Sequence, residues 1–485
     1  MNNTLPYSTF RYPKLLRFFE EISSIPRQTY HEEQIADYLC EFAHARGLSC
    51  YRDAHQNVLI TKPGTQGLEA TAPLLLQGHT DMVCEVRWGK EHNFLTDPLA
   101  LYVEDGWLRA KDTTLGADDG VAVAVMLALL DDTQVAHPPL ECLFTASEEV
   151  GLDGAKNFDY SLLSARQMIN MDSPDEQLII AGCAGGVRSR LSVSFVPVPA
   201  EGTLFRLRVE GLFGGHSGED IHRGRQSAIA VLACMLSLLS EQTEMHVVSI
   251  NGGQRENVIS RTCEAVVSVK DADAIARLAN PASALSLSLR EEDKNLSMAI
   301  EEVDVGSYPT MMTSEDTARI LALLAAIPCG VLAKNETGFV EYSRNLGVIT
   351  TTDTEDNART LTLTLLSRSP RDDRLEESMH LLDEIVASFG GTATHADYYP
   401  GWNFAPISPL REAYIEAHKS VYGCAPEVTA IHAGLECGII AKEVPDMDMI
   451  SVGPRVLDLH SPSERMHLES FEKFYEILQN LLKNL

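Results

Sequence analysis

Hydrophobic and polar positions follow two different rhythms along the 485-residue chain. Residues 13–24 and 31–46 carry apolar side chains at helical spacing, which predicts two amphipathic helices. After them come short apolar runs that each end in a polar cluster. Leu74-Leu75-Leu76 leads into GHTD, Leu140 to Ala146 into SEEVG, Met168 to Met171 into DSPDE, and Met447 to Val452 into GPRVLDLHSP. Between the first two runs, GVAVAVMLALLDD is long enough for a buried helix opening at Gly120. Strands alternating with helices predict an α/β fold with a mostly parallel central sheet flanked by helices on both faces. In such sheets ligands bind outside the carboxyl ends of the strands, where these polar clusters fall.

From about residue 187 to 394 the rhythm changes. Phe205, Leu207 and Val209 alternate with polar neighbours, as do several positions of CEAVVSV, and helical stretches 225–240, 273–290 and 374–388 are interleaved with them. This predicts an α+β region with antiparallel strands buried on one face. The first rhythm returns near 395 and closes with an amphipathic helix over 470–484. The chain is therefore expected to form one discontinuous catalytic domain, 1–186 with 395–485, carrying an inserted domain, 187–394. No short repeat or low-complexity linker marks the junctions.

Length alone argues for two or three cores rather than one, since domains run ~100–200 residues. With 45% hydrophobic and 22% charged residues, a disordered, collagen-like or coiled-coil chain is excluded. The balance of 39 basic against 69 acidic residues leaves a net charge of −30, which disfavours nucleic acid and anionic membrane surfaces as partners and suits cations. Ten cysteines without a CxxC pair read as free thiols. The first 24 residues show no apolar core followed by a small-residue cleavage site, and the longest apolar stretch, Val121 to Leu130, falls short of the ~20 residues of a membrane span. The cytoplasm is the expected compartment.

Five clusters could carry chemistry. His79 and Asp81 lie two apart on an extended segment and so point to one side, where a carboxylate can brace a metal-ligating imidazole. Asp118 and Asp119 stand immediately before a helix, Glu148 and Glu149 follow LECLFTAS, Asp172 follows the run ending in Met171, and His460 sits in DLHSP. Each cluster by itself reads as an ordinary turn or helix cap. Together they place two imidazoles and three or more carboxylates at the ends of five inferred strands of one sheet. That is what a pair of borderline divalent ions needs: one His and one terminal carboxylate each, with an Asp shared. Of two adjacent glutamates, one could bind a cation and the other activate water; residue types do not say which.

Taken with HTDMV, TTLGADDG, ASEEVGLDGA, NMDSPDE, CAGG, GLFGGHSGEDIHRG, NGGQREN, HAGLECG and SVGPRVLDLHSPSE, the chain from about residue 20 to its end resembles the aminoacyl-histidine dipeptidase (Xaa-His dipeptidase, peptidase D) branch of the dinuclear zinc exopeptidases. Carnosinases, aminoacylases and carboxypeptidase G-type enzymes are more distant in resemblance. The resemblance implies that His79, Asp118 and Asp172 serve one metal site, and that Glu149 and His460 complete a second around the bridging Asp118. It implies Glu148 as general base, Asp81 as the carboxylate orienting His79, and His216 of GGHSG as a donor to the oxyanion. Arg368 in LLSRSP would take the substrate carboxylate, for which a planar guanidinium fork is suited. Asn257 and the Gly434 region are implied substrate contacts, and His432 could be either a packed strand-end residue or part of the pocket lining.

The implied activity is metal-dependent hydrolysis of dipeptides, Xaa-His such as beta-alanyl-histidine, by a metal-bridged water with Glu148 as base. Two divalent ions are implied, zinc first, with manganese or cobalt tolerated by the same ligands. Because His216 and Arg368 fall in the inserted domain, turnover is expected to require the two domains to close from an open unliganded form, with that domain acting as lid. The resemblance further implies a homodimer through the inserted domain. Two alternatives stay open: a broader-specificity dipeptidase or aminoacylase-like amidohydrolase, and a metal-dependent binding or scaffold protein without catalysis.

Overall fold

The computed structural model describes residues 5, 7–276, 283, 285, 289–336, 338–354 and 357–485. The chain divides into two compact units: Met1–Cys183 with Trp402–Ala430 and Leu435–Leu485, and Ala184–Gly401 with Ile431–Gly434.

The first unit is built on an eight-stranded sheet, in the order Ser49–Arg52, Val58–Lys62, Leu140–Thr145, Leu74–His79, Gln167–Asn170, Asp448–Ser451, Leu178–Cys183, Glu427–Ile431. Its centre, from Leu140–Thr145 to Asp448–Ser451, is parallel. Val58–Lys62 on one side and Leu178–Cys183 on the other run antiparallel to it, and Ser49–Arg52 pairs antiparallel with Val58–Lys62. Leu74–His79 and Leu140–Thr145 are buried at every position, as strands covered on both faces must be. The helix between them, Ala117–Asp131, is buried along nearly its whole length. Gly116 turns the chain into it with φ 64°, and its regular helical angles run from Gly120, where the sequence places the opening. Asp118 and Asp119 keep non-helical angles inside that first turn, and the peptide joining them is cis.

Amphipathic helices close the other faces. Pro13–Ser23 buries Leu15, Leu16, Phe18, Phe19 and Ile22 in the same core as Phe471 and Phe474 of the last helix, Leu468–Leu482, with the Phe19 and Phe471 rings edge-to-face at 6.1 Å. Truncating Phe19 to Ala would cost about 3–5 kcal/mol.

The second unit is an antiparallel sheet ordered Ser297–Val303, Thr203–Glu210, Cys263–Val269, Met245–Gly252, Val340–Asp353, Arg359–Ser369, Gly185–Phe195, Thr392–Tyr399, with Gly330–Lys334 added on Val340–Asp353. Leu191, Val193, Phe195, Leu207, Val209, Leu361 and Leu363 alternate into one core with the helices Ala228–Gln242 and Ser314–Ala326. Of the helix expected over 273–290, Asp273–Ala276 is helical and most of the remainder lies outside the described residues. Among the described residues no helix is long and apolar enough to cross a membrane.

Candidate metal centre

Three neighbouring strands of the first unit aim their carboxyl ends at one place. His79 ends Leu74–His79, the Glu148-Glu149 turn follows Leu140–Thr145, and Asp172 follows Gln167–Asn170. The parallel register sets these ends side by side, with His79 opposite Thr145 and Gln77 opposite Asn170. The remaining residues do not come from the ends of sheet strands, contrary to the five-strand expectation. Asp118 sits in the first turn of Ala117–Asp131, and His460 lies in the loop joining Val456–Leu457 to Arg465–His467, two strands of a separate four-stranded sheet. The apolar run before His460 does form a strand of the main sheet, but it ends at Ser451 and the chain crosses to the small sheet before presenting its imidazole.

Asp118 is the centre of the cluster. Its Oδ1 lies 2.9 Å from His79 Nε2 and its Oδ2 lies 3.0 Å from His460 Nε2, so each carboxylate oxygen faces one imidazole. Asp172 Oδ1 stands 4.0 Å from His79 Nε2, and Glu149 Oε2 3.3 Å from His460 Nε2. Three overlapping groups have ligand-type atoms within 4.8 Å of one another: His79 with Asp118 and Asp172, Asp118 with Glu149 and His460, and His79 with Glu148 and Glu149. The other Glu149 oxygen, Oε1, is buried with no hydrogen-bond partner among the described residues. Imidazole nitrogens and carboxylate oxygens in this mixture fit borderline divalent cations.

The electrostatics match that donor set. Burial alone would raise Asp118, but the two imidazoles outweigh it and hold the carboxylate well below its usual range. Burial alone would lower His79, yet its bonds to Asp118 and Asp81 carry it well above the ordinary value. Hydrogen bonds to Asp118 and Glu149 push His460 up to about 10. Glu148 and Asp172 are driven well above the carboxylate range, chiefly by burial and further by the acids around them. So many acids in one buried place draw positive charge to it.

Asp81 lies behind His79, its Oδ1 at 3.5 Å from His79 Nδ1, while the Asp81 carbonyl oxygen is closer to the same nitrogen, at 3.1 Å. Beneath the strand ends runs a polar chain that no sequence motif discloses. Asn170 Nδ2 donates to Gln77 Oε1 at 2.7 Å, Gln77 Nε2 donates to Glu436 Oε2 at 2.5 Å, and Thr145 Oγ1 donates to the same Glu436 oxygen at 2.7 Å. Burial pushes Glu436 up to about 7. It stands in HAGLECG, but nothing in that string marks its acid as the buried one. Arg27 and Glu464 are likewise unmarked along the chain, although Glu464 is only four residues beyond His460.

The second unit gathers its own polar group. His216 lies on the short strand Gly215–His216, paired with Val258–Ile259. Its Nδ1 accepts the Glu219 N–H at 3.2 Å, which leaves Nε2 as the proton-bearing nitrogen of a neutral ring. Burial and the nearby Arg368 lower its proton affinity and keep it neutral. Arg368, buried near the end of Arg359–Ser369, donates from Nη1 to the Tyr399 hydroxyl at 2.7 Å. His432 Nε2 shares a hydrogen bond with Ser343 Oγ at 2.7 Å, and burial, with Arg368 adding, pushes it down to about 3. Gly434 lies against the Tyr399 ring so closely that a Cβ there would meet it at 2.8 Å. The Asn257 carbonyl accepts the Ser217 N–H at 2.8 Å, which ties NGGQREN to the His216 loop.

Two imidazoles and several acids gathered beyond the carboxyl ends of parallel strands are the framework of a metal-dependent hydrolase. The chain belongs to the Peptidase family M20/M25/M40, whose profile matches residues 75–484. It is 37% identical over 474 residues to the cytosol non-specific dipeptidase of Escherichia coli (strain K12), covering 96% of each chain. The crystal structure of aminoacylhistidine dipeptidase from Vibrio alginolyticus matches with a TM-score of 0.90 at 33% identity, over 99% of this chain and 98% of that one. Aminopeptidase PepT from Bacillus cereus ATCC 10987 shares the fold at 16% identity, with a TM-score of 0.62 over 98% of both chains.

Proposed function

We propose that the chain is a dinuclear metallo-dipeptidase acting in the cytoplasm on small peptides, beta-alanyl-histidine and other Xaa-His dipeptides among them. The observation that carries this reading is the single carboxylate of Asp118, with one oxygen turned to His79 and the other to His460. His79 and Asp172 would hold one divalent ion and His460 and Glu149 the other, with Asp118 between them; zinc suits the set, as do manganese and cobalt. When bound, the ions would polarise the scissile carbonyl and acidify the attacking water.

The residues of the chain do the rest. Glu148 takes the proton from the water and returns it to the leaving amine; its burial strengthens its hold on a proton between those two steps. Asp81 orients His79. His216, neutral with its proton on Nε2, donates to the oxyanion, and Arg368 captures the free carboxylate of the dipeptide. Asn257 and Gly434 line the peptide. The inserted unit serves as lid and as the surface through which two copies pair.

The relatives bear two names, non-specific dipeptidase and aminoacylhistidine dipeptidase, and a substrate panel decides which breadth this chain has. Metal analysis of the purified protein, run with a panel of carnosine, other dipeptides and N-acyl amino acids, tests the reading. Two divalent ions per chain and turnover of dipeptides alone support it. A metal-free active protein, or preference for N-acyl amino acids, sinks it.

A further inference from the structure

Three loops of the first unit deliver metal-binding side chains: 79–81, 115–118 and 458–464. Two buried side chains that touch no candidate ligand atom tie these loops together. Arg27, 2% exposed, donates from Nη1 to the carbonyl oxygens of Thr80 at 2.9 Å and Asp81 at 3.2 Å, and from Nη2 to that of Gly116 at 2.5 Å. The Asp81 oxygen it grips is the one that also faces His79 Nδ1. Glu464, 3% exposed, accepts the N–H groups of Leu115 at 2.7 Å and Gly116 at 2.9 Å on one oxygen, and of Ala117 at 2.8 Å and Asp118 at 3.4 Å on the other.

The geometry points to Arg27 and Glu464 as positioning residues that set the spacing of the two metal sites across Asp118. Arg27 locks the His79 loop to the turn that launches Asp118, and Glu464 locks that same turn to the loop carrying His460. Gly116 stands at the junction. Its φ is 64°, and Arg27 Nη2 lies only 2.5 Å from the point a Cβ would occupy, so the turn has room for no side chain.

Fold stability alone does not call for this pair. Two well-packed apolar side chains would hold the same loops together without the desolvation that a buried guanidinium and carboxylate incur. What an apolar pair could not do is orient individual backbone groups, and the hydrogen bonds of both side chains fall on the backbone of ligand-bearing loops. Outer partners of metal ligands typically change affinity or activity by about 10–100-fold when removed.

This inference rests on the dinuclear reading above, and manganese titration followed by electron paramagnetic resonance separates the two. The metal-depleted full chain should take up two Mn²⁺ ions and show the signal of a spin-coupled pair. Glu464→Gln, which turns an amide N–H toward backbone N–H donors, should keep one tight ion, bind the second about 10–100-fold more weakly and lose the coupled signal. Glu464→Asp, which retains the carboxylate, should recover part of the coupling. Should Glu464→Gln fail to fold, as judged by circular dichroism, Arg27→Lys reads the same question, since it keeps the buried charge but not the fork that reaches both loops. Two ions with wild-type affinity and coupling in a folded Glu464→Gln or Arg27→Lys protein overturn the inference and leave the dinuclear reading standing. Fewer than two ions in the wild-type chain overturn the reading itself.

Discussion

The carboxylate of Asp81 accepts the backbone N–H of Glu148 at 3.0 Å, and its second oxygen accepts that of Glu149 at 3.2 Å. Asp81 therefore holds the turn that carries the proposed base and a proposed ligand, in addition to bracing His79. Thr29 Oγ1 donates to the same carboxylate at 2.9 Å. Asp81→Asn replaces one acceptor by a donor that opposes a backbone N–H. We expect a fall of about 10–100-fold in kcat/KM for a dipeptide, with metal affinity weakened as well. Steady-state kinetics beside metal titration measure both, and an Asp81→Asn enzyme with unchanged values of each would remove Asp81 from the site.

Glu148→Gln keeps the shape of the side chain and its place on the turn but cannot take a proton. A loss of about 10²–10⁴-fold in kcat is expected, with metal content unchanged. Retained turnover would move the base elsewhere.

The proposed function has Arg368 offer a charged fork to a free carboxylate, and a hydrogen bond to a charged group contributes about 1.5–3 kcal/mol. Arg368→Ala should lower kcat/KM for dipeptides by about 10–100-fold, mainly through KM. Blocking the substrate carboxylate as an amide should cost the wild-type enzyme much and the variant little. An equal cost in both would show that Arg368 does not meet that group.

Removal of divalent ions leaves Asp118, Glu148, Glu149 and Asp172 crowded around the imidazoles of His79 and His460, which offset less charge than two divalent ions would. Chelation should abolish turnover and lower the unfolding temperature, and returning zinc, manganese or cobalt should restore both. A ligand at a hundred times its Kd stabilises by about 2.7 kcal/mol. Calorimetry with and without chelator checks this, and an unchanged transition would argue against a bound cation.

His432 is held down to about 3 from an ordinary 6.5, by burial first and by Arg368 second. Above the ordinary value the ring is neutral in folded and unfolded chain alike, so its contribution to native stability is intact there. As pH falls below that value the unfolded chain takes a proton that the folded one refuses, and the contribution is lost progressively toward about 3. Urea unfolding of His432→Gln should accordingly lose less stability than wild type between about pH 7 and about pH 5. Parallel losses in the two proteins would reject the assignment.

Much of the framework was legible along the chain. The helices Pro13–Ser23, Glu33–Ala45 and Leu468–Leu482 and the strands Leu140–Thr145 and Cys263–Val269 follow their apolar spacing within a few residues, because burial on a repeating backbone leaves a period in the sequence. The acids placed directly after buried strands, and His79 at the end of one, were legible for the same reason, since a core run that breaks into charge marks the strand end. Residue type also fixed what chemistry these groups can do. Neighbours from distant segments leave no such period. That His460 reaches Asp118 from a second, smaller sheet, that Asp81 holds the N–H groups of Glu148 and Glu149, and that Glu436, Arg27 and Glu464 lie buried around the centre were decided only when the chain folded. Each depends on contacts between segments tens to hundreds of residues apart, where direction and distance are set by packing and not by the order of the residues.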